Sequence, residues 1–496
     1  MNFRDIPIAH KILLLLGCLP LAIWAFHYLT VDLWYDEVYS LEHYALTDLK
    51  TTLFYYPAPN NHIFFNLTTQ FISRISGLRT VFEAAKHVYV FRTLQLLISL
   101  GTAYYCLNIL KRHFSFKNHA LVTILLFTTI PFLNFSLQLR GYNMSSLFGV
   151  MLLYYSWAYI DNGKGLARNM IVLSGFLLMY TIPANVYYLG GLWLIIGAIW
   201  AYAIWKKRRE KAKRYFWTLV FISLGVVIAT AFYLPIIEDV IFNEYSSKSY
   251  PGIFYTVGVF LEAIPAYLSG RYFLLPLVFF GGFLYFKQRE TKESCYALLL
   301  LALFLLPFGI AFVHQKAPFP RVFVGLSPIF AMLLTVLVVK CIEGVTRPLF
   351  HKWLYWGVMV YCLFTFFFEV GRSDEQIIQN LKKNQAITQN LSANYYLSSS
   401  FTPDTTIQAL GKIYEGAQVY DMDLLDWPST RLYLRKYNIP YQSIEAIDEI
   451  EVLKGNDPIY VITSKREKVM KALESTQFTV TALTEEGSFL TLLKLE

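Results

Sequence analysis

Residues 11–40 read KILLLLGCLPLAIWAFHYLTVDLWYDEVYS, and this stretch decides the fold. Its first part, Lys11–Leu29, is apolar and long enough to cross a bilayer as a helix. Irregular backbone cannot face lipid, so such a run has to be helical. Three carboxylates follow at once: Asp32, Asp36 and Glu37. Acids placed beside a first span, in a chain whose charges otherwise sit in short loops, point to acid/base chemistry at a membrane surface. The span has a charged start but lacks a small-residue cleavage site, so it reads as retained and not as a removed signal peptide.

Working outward, the pattern repeats. Hydrophobic residues make up 56% of the 496 residues and charged residues only 16%, far from a soluble average. Further apolar blocks at Val88–Leu110, Ala120–Leu137, Tyr142–Ile160, Met170–Ile182, Asn185–Trp205, Tyr215–Ile237, Tyr272–Phe286, Cys295–Val313, Val322–Lys340 and Trp353–Val370 predict about 11 transmembrane helices in all. The fold class is therefore a polytopic α-helical membrane protein. Two domains are expected: residues 1–371 hold the spans, and residues 372–496, of ordinary mixed composition, form a small α/β domain. In that tail a polar helix near Glu375–Ser392 is followed by strand candidates at Tyr395–Ser398, Ala417–Tyr420 and Pro458–Thr463. A helix from Lys465 to Glu474 and a terminal hairpin turning near Glu486–Gly487 complete it.

The basic residues orient the chain. With a cytoplasmic N-terminus, the inner loops hold Lys111, Arg112, Lys117, Lys164, Arg168, the run KKRREKAKR from Lys206, Lys287, Arg289, Lys292, Arg347 and Lys352. The short outer loops hold few, Arg140, Lys248, Arg271, Lys316 and Arg321, which is the positive-inside pattern. The first long loop and the C-terminal domain then lie outside the cytoplasm. The net charge of +9 is mostly topology signal and implies no nucleic acid. All five cysteines fall in or beside apolar spans, so neither a disulfide framework nor a zinc knuckle is expected in the tail. The absence of exported cysteines and the compact loops favour the inner membrane of a bacterial envelope. Sequons at Asn66 and Asn390 would matter only in a eukaryotic secretory setting.

Four outer segments carry candidate chemistry. Asp36, with Glu37 and Asp32 beside it, is placed to take a proton from an acceptor as a general base; a solvated acidic pair explains the same residues. In YYPAPNNHIFF, Asn60, Asn61 and His62 open a helix whose N-terminus suits a phosphate, although helix capping accounts for Asn60 or Asn61 equally well. That helix, HIFFNLTTQFISRI, sets Ile63, Leu67, Phe71 and Ile75 on one face and reads as interfacial. In QLRGYN, Arg140 and Tyr142 sit at an outer break, where the cation either snorkels or meets a phosphate. In HQKAPFPRVFVGLSPIF, Lys316 and Arg321 are cations on the face that disfavours them, and guanidinium matches phosphate oxygens well. Arg92, just inside the second span, is a further and weaker candidate to bind the donor phosphate, as an ionisable group at membrane depth.

The motifs WYDE, NNHIFF, VFRTLQLLISL, LRGYN and PRVFVGLSPIF, in this order and on one expected face, resemble the GT-C superfamily of polytopic glycosyltransferases. The resemblance is nearest to the branch of protein O-mannosyltransferases and lipid A aminoarabinose transferases. It covers about the first 340 residues and the plan of an exported tail. It departs at APNNH, where relatives often have a Pro-Pro-Leu-Tyr-like run, and at Arg-Val-Phe, where Arg-Tyr is common. It implies Asp36 as catalytic base or acceptor-binding carboxylate, with Glu37 its neighbour. It implies a polyprenyl-phosphate sugar donor held by Arg321 first, then Arg140 and Lys316, with a lipid, glycan or protein as acceptor. No cofactor is expected, and an essential metal is disfavoured because Asp32, Asp36 and Glu37 supply too few separated ligands. A transporter or flippase of lipid-linked saccharides, a cell-surface glycan polymerase or ligase, and a non-catalytic scaffold are the competing classes.

Overall fold

The computed structural model describes residues 8–115, 119–243, 253–288, 291–314, 320–345, 347–382, 398–422, 428–444, 458–474 and 476–496. Seven of its helices are long and apolar enough to cross a membrane, or eight if one bent pair counts as a single span. The eleven expected spans are only partly matched, and the departures have physical causes. Ala120–Leu137 is two seven-residue helices, Leu121–Phe127 and Ile130–Ser136, broken at Thr128–Thr129. Every residue from Ala120 to Ser146 is buried, so this broken backbone never meets lipid. The helix Tyr142–Asn162 carries buried Asn143, Ser145, Ser146 and Ser156 on its inner side. Gly165–Thr181 has only 17 residues. The segment Pro320–Gly344 has 78% of its apolar window buried, against 28–44% for the other spans, and it forms the axis of the bundle.

A fully buried arginine holds the central break together. The chain bends by 87° between Val257–Leu268 and Tyr272–Lys287, with Ser269 and Gly270 in left-handed conformations at the corner. Arg271 lies there and is fully buried. It donates to the carbonyls of Tyr267, Leu268 and Leu125 and to the hydroxyls of Thr128 and Thr129, at 2.7–2.9 Å. Ser269 Oγ accepts from Ile130 N at 2.8 Å. Two interrupted segments thus satisfy each other's backbone groups. Gly270 is required: its φ is +73°, and a Cβ there would stand 2.6 Å from Glu369 Oε1.

The helix Ile63–Ser76 forms as expected, and the lower part of its apolar stripe is exposed while Ile63 turns inward. Ile63, Asn66, Thr69, Gln70 and Ser73 point inward, whereas Phe71 and Ile75 are exposed. The outward side of an interfacial helix meets the acyl boundary, so the apolar stripe belongs on the outside. Asn66 of the first sequon is fully buried.

The last long helix, Pro348–Lys382, runs straight through Gly371. The polar-helix expectation beyond Lys382 and the strand candidate Tyr395–Ser398 lie outside the described residues, except Ser398. The tail then forms a five-stranded sheet in the order β2-β1-β3-β5-β4, with β1 Gln418–Asp421, β2 Gln442–Ser443, β3 Ile459–Thr463, β4 Val480–Ala482 and β5 Thr491–Leu495. β1 pairs in parallel with β2 and β3, and β5 runs antiparallel to β3 and β4. Side chains alternate across the sheet. Tyr420, Val461 and Leu493 pack with Val469 and Leu473 of the helix Arg466–Leu473. Val419, Tyr460, Ile462 and Leu492 join the main core beside the helices Pro403–Gly411 and Pro428–Lys436.

Candidate active site

The loop after the first span enters the short helix Tyr35–Ser40, which presents both acids in its first turn. They turn to different partners. Glu37 is fully buried and receives Arg92 Nη2 at 3.0 Å, Leu139 N at 2.9 Å and Trp34 N at 3.2 Å. Arg92, expected to hold a phosphate, is spent on this pair and on the carbonyls of Tyr28 and Val31. Burial explains why: a guanidinium 1% exposed has to be paired or fully hydrogen-bonded, and Glu37 with the two carbonyls does both. Glu37 and Arg92 therefore anchor the loop to the bundle and do not face a ligand.

Asp36 is the acid that faces the cations. Its Oδ2 accepts from Arg321 Nη1 at 3.1 Å and lies 3.9 Å from Arg140 Nη2, while Oδ1 accepts from Asn60 Nδ2 at 3.1 Å. Arg140, 1% exposed, donates to Ser40 Oγ at 2.7 Å and Asn60 Oδ1 at 2.8 Å. Its Nε has no hydrogen-bond partner among the described residues. The side chains of Arg321 and partly exposed Asn60 mark the open side of the cluster. Lys316 lies outside the described residues.

His62 completes the ring of groups. Gly141 N donates to Nδ1 at 2.8 Å, so the neutral imidazole carries its proton on Nε2, which faces Arg140 Nη2 at 3.4 Å. Burial, then the charges of Arg140 and Arg321, holds this histidine well below its usual range. It is a hydrogen-bonding group and not a cation. The approach needs glycine at 141, because a Cβ would sit 2.7 Å from Thr181 Cγ2 and 3.2 Å from His62 Nδ1. Tyr142 packs edge-on against His62, with ring centres 4.9 Å apart.

Two expected contacts go elsewhere. Asn61 is fully buried and serves the loop, donating to the carbonyls of Thr52 and Tyr55 and accepting from Asn66. Its neighbour Asn60 takes the place at the site, and nothing in the sequence separates the two. Asp32 turns toward the C-terminal domain, where its Oδ2 accepts from Asp404 N at 2.9 Å. Burial raises its pKa to about 6, with the Asp404 amide opposing that shift and the Asp404 charge adding to it. Ser40 and Gln95 went unnoticed in the sequence. Gln95 Nε2 donates to the carbonyls of Gln138 and Arg140 and so braces the loop that carries Arg140.

The arrangement is a half-open cluster of one carboxylate, two guanidinium groups, an amide and a neutral imidazole at one end of a helical bundle. The fold is similar to that of ArnT. Two solved structures share it. ArnT from Cupriavidus metallidurans bound to undecaprenyl phosphate aligns over 97% of both chains at 12% identity with a TM-score of 0.51. The same protein in its apo state aligns over 98% of both chains at 12% identity with a TM-score of 0.52. No protein-family model matches the chain, and no curated protein matches it in sequence.

Proposed function

We propose that this protein is an inverting glycosyltransferase that moves a sugar from a polyprenyl-phosphate donor to a lipid, glycan or protein acceptor. The observation that carries the reading is the contact of Asp36 with Arg321 beside Arg140, an acid and two phosphate-matching cations in one mouth. The GT-C fold, shared with a protein crystallised with undecaprenyl phosphate, supports a donor of that class.

The chemistry follows from the pairing. Arg321, with its side chain 18% exposed, can turn from the carboxylate to a phosphate oxygen. Asp36 is then released from its nearest cation to meet the acceptor hydroxyl. The acceptor hydroxyl gives its proton to Asp36 as its oxygen attacks the anomeric carbon. The bond from that carbon to the phosphate oxygen breaks, and its electron pair stays on the leaving phosphate. Arg321 and Arg140 neutralise the charge that develops there, and His62 offers its Nε2 proton to the same oxygens. One in-line displacement inverts the anomeric centre.

We place this mouth on the exported side of a bacterial inner membrane, with residues 372–496 forming an extracytoplasmic domain. Geometry supports the placement. The 20-residue helix Val186–Trp205 begins beside Asn185, which donates to Ser145 three residues beyond Tyr142, and ends at the exposed run from Lys206. At 1.5 Å per residue the basic run is about 30 Å from the site level, one hydrocarbon thickness away.

The test is transfer by the purified protein in nanodiscs, with labelled undecaprenyl-phosphate sugars and a panel of envelope acceptors. Labelled acceptor and free undecaprenyl phosphate should appear together, and Asp36→Asn should form neither. Saccharide crossing a vesicle membrane with no new glycosidic bond would replace this reading with transport.

A further inference from the structure

The segment between the first span and the Asp36 helix is held residue by residue. Val31 O accepts from Arg92 at 2.5 Å, and Trp34 N donates to Glu37 at 3.2 Å; both partners belong to the membrane part. The two residues between them are held by the tail. Asp32 accepts from the amide of Asp404, and Leu33 N donates to Tyr433 Oη at 3.0 Å. On the far side of the same helix, Arg435 lies 3.8 Å from Glu42. The helix Pro428–Lys436 thus grips both flanks of the element that presents Asp36.

The grip is itself braced. The Asp404 carboxylate accepts from Lys436 Nζ at 2.6 Å and Tyr437 Oη at 2.8 Å, which ties the start of the helix Pro403–Gly411 to the end of Pro428–Lys436. One residue therefore receives Lys436 and Tyr437 on its side chain and serves Asp32 with its backbone. Leu33 and Tyr433 are 0% and 2% exposed, so their hydrogen bond is dry and water cannot replace it.

We propose that Tyr433 and Asp404 of the C-terminal domain are positioning residues for Asp36, through hydrogen bonds to residues 32 and 33. The domain is in this view a structural part of the active centre. The inference rests on the glycosyltransferase reading, because it assigns a reacting role to Asp36. A carboxylate displaced by about 1 Å from its productive place can lose on the order of 100-fold in rate, and two of the four anchors of its loop come from the tail. Neither residue touches the mouth, so the effect should fall on turnover and not on donor binding.

The experiment uses the full chain in nanodiscs. Tyr433→Phe keeps the ring in its packed place and removes the acceptor for Leu33 N; Asp32→Ala removes the neighbouring anchor and provides an independent probe of the same loop. Amide exchange over residues 30–41, undecaprenyl-phosphate affinity and turnover are measured together. Expected for each variant are exchange faster by roughly 5-fold or more in that segment alone, a turnover loss of roughly 5- to 50-fold, and affinity within about 2-fold of the unaltered protein. Unchanged exchange, or faster exchange with full turnover, overturns the proposal while the function stands. No transfer by the unaltered protein overturns the function instead, and exchange alone then decides whether the tail holds the loop.

Discussion

Arg321 Nη1 stands 3.1 Å from Asp36 Oδ2, a contact between residues 285 positions apart in the chain. It joins the loop after the first span to the turn that enters Pro320–Gly344, the most buried span of the bundle. Arg321→Ala should lower kcat/KM by roughly 100-fold or more, the scale of losing one charge-stabilising donor. Arg321→Lys should recover only part of this, since an ammonium keeps the charge but not the planar fork. Steady-state transfer assays on the two variants decide it, and equal activity of Ala and Lys would remove the guanidinium from phosphate binding.

Glu37 and Arg92 should behave differently from Asp36. Arg92→Leu strands a fully buried carboxylate, at a cost of roughly 3–5 kcal/mol. The variant is expected to be recovered in low yield or to melt well below the unaltered protein. Asp36→Asn, by contrast, should melt within a few degrees of it while losing transfer. Thermal melts in detergent separate the two acids into an anchor and a reacting group. Matching melts for Arg92→Leu and the unaltered protein would contradict the assignment.

Much of this was legible in the sequence, and the limits are physical. WYDE, LRGYN and PRVF name the acid and the two cations that meet, because charges at the ends of apolar runs stand out against hydropathy. The partner of each charge does not stand out. Whether Arg92 meets a phosphate or Glu37 depends on a contact across 55 positions. Asn60 and Asn61 share one environment in sequence and opposite ones in space. The facing of Ile63–Ser76 is not legible in the sequence, because an apolar stripe at helical spacing fits a protein core and a lipid boundary equally well. The break at Thr128–Thr129 lies inside an unbroken apolar run, where hydropathy carries no signal of it.

Gly141→Ala tests the seat of His62. The added methyl group has to displace Thr181 or push His62 away from its 2.8 Å hydrogen bond. A loss of transfer of roughly 10-fold or more is expected, the scale of a displaced polar group at a reacting centre. Adding Thr181→Ser, which removes the crowded Cγ2, should restore part of it. Full activity of Gly141→Ala would show that the His62 seat does not matter for turnover.

Asp32 gives a pH signature. Its folded-state pKa of about 6 lies above the ordinary 3.8, so the folded chain holds a proton that the unfolded chain has released between those values. Its contribution to stability is full below the lower value and is lost as pH rises through the upper one. The charged groups facing it are Asp404, Lys436 and Arg92. Asp32→Asn should therefore melt higher than the unaltered protein at pH 7.5 and close to it at pH 4.5. A difference that is constant across this range would show that Asp32 does not titrate there.

Arg271 is a buried cation of another kind from Arg92. Each of its five hydrogen bonds ends on a neutral oxygen, three carbonyls and two threonine hydroxyls. Removing it strands no opposite charge but leaves the carbonyls of Leu125, Tyr267 and Leu268 without this donor at two chain breaks. Arg271→Met, which fills similar volume, is expected to cost roughly 1–3 kcal/mol, the scale of one buried acceptor left unsatisfied, because Leu125 O keeps Thr129 Oγ1 and Leu268 O keeps the amide of residue 271. Arg271→Lys retains the charge but has one nitrogen for acceptors arranged around three, so it should rescue little. The loss should appear in the melt, with undecaprenyl-phosphate affinity of the surviving folded fraction intact, because Arg271 makes none of the Asp36, Arg140 or Arg321 contacts. A melt of Arg271→Met equal to that of the unaltered protein would mean that the bend at Ser269–Gly270 holds without its guanidinium.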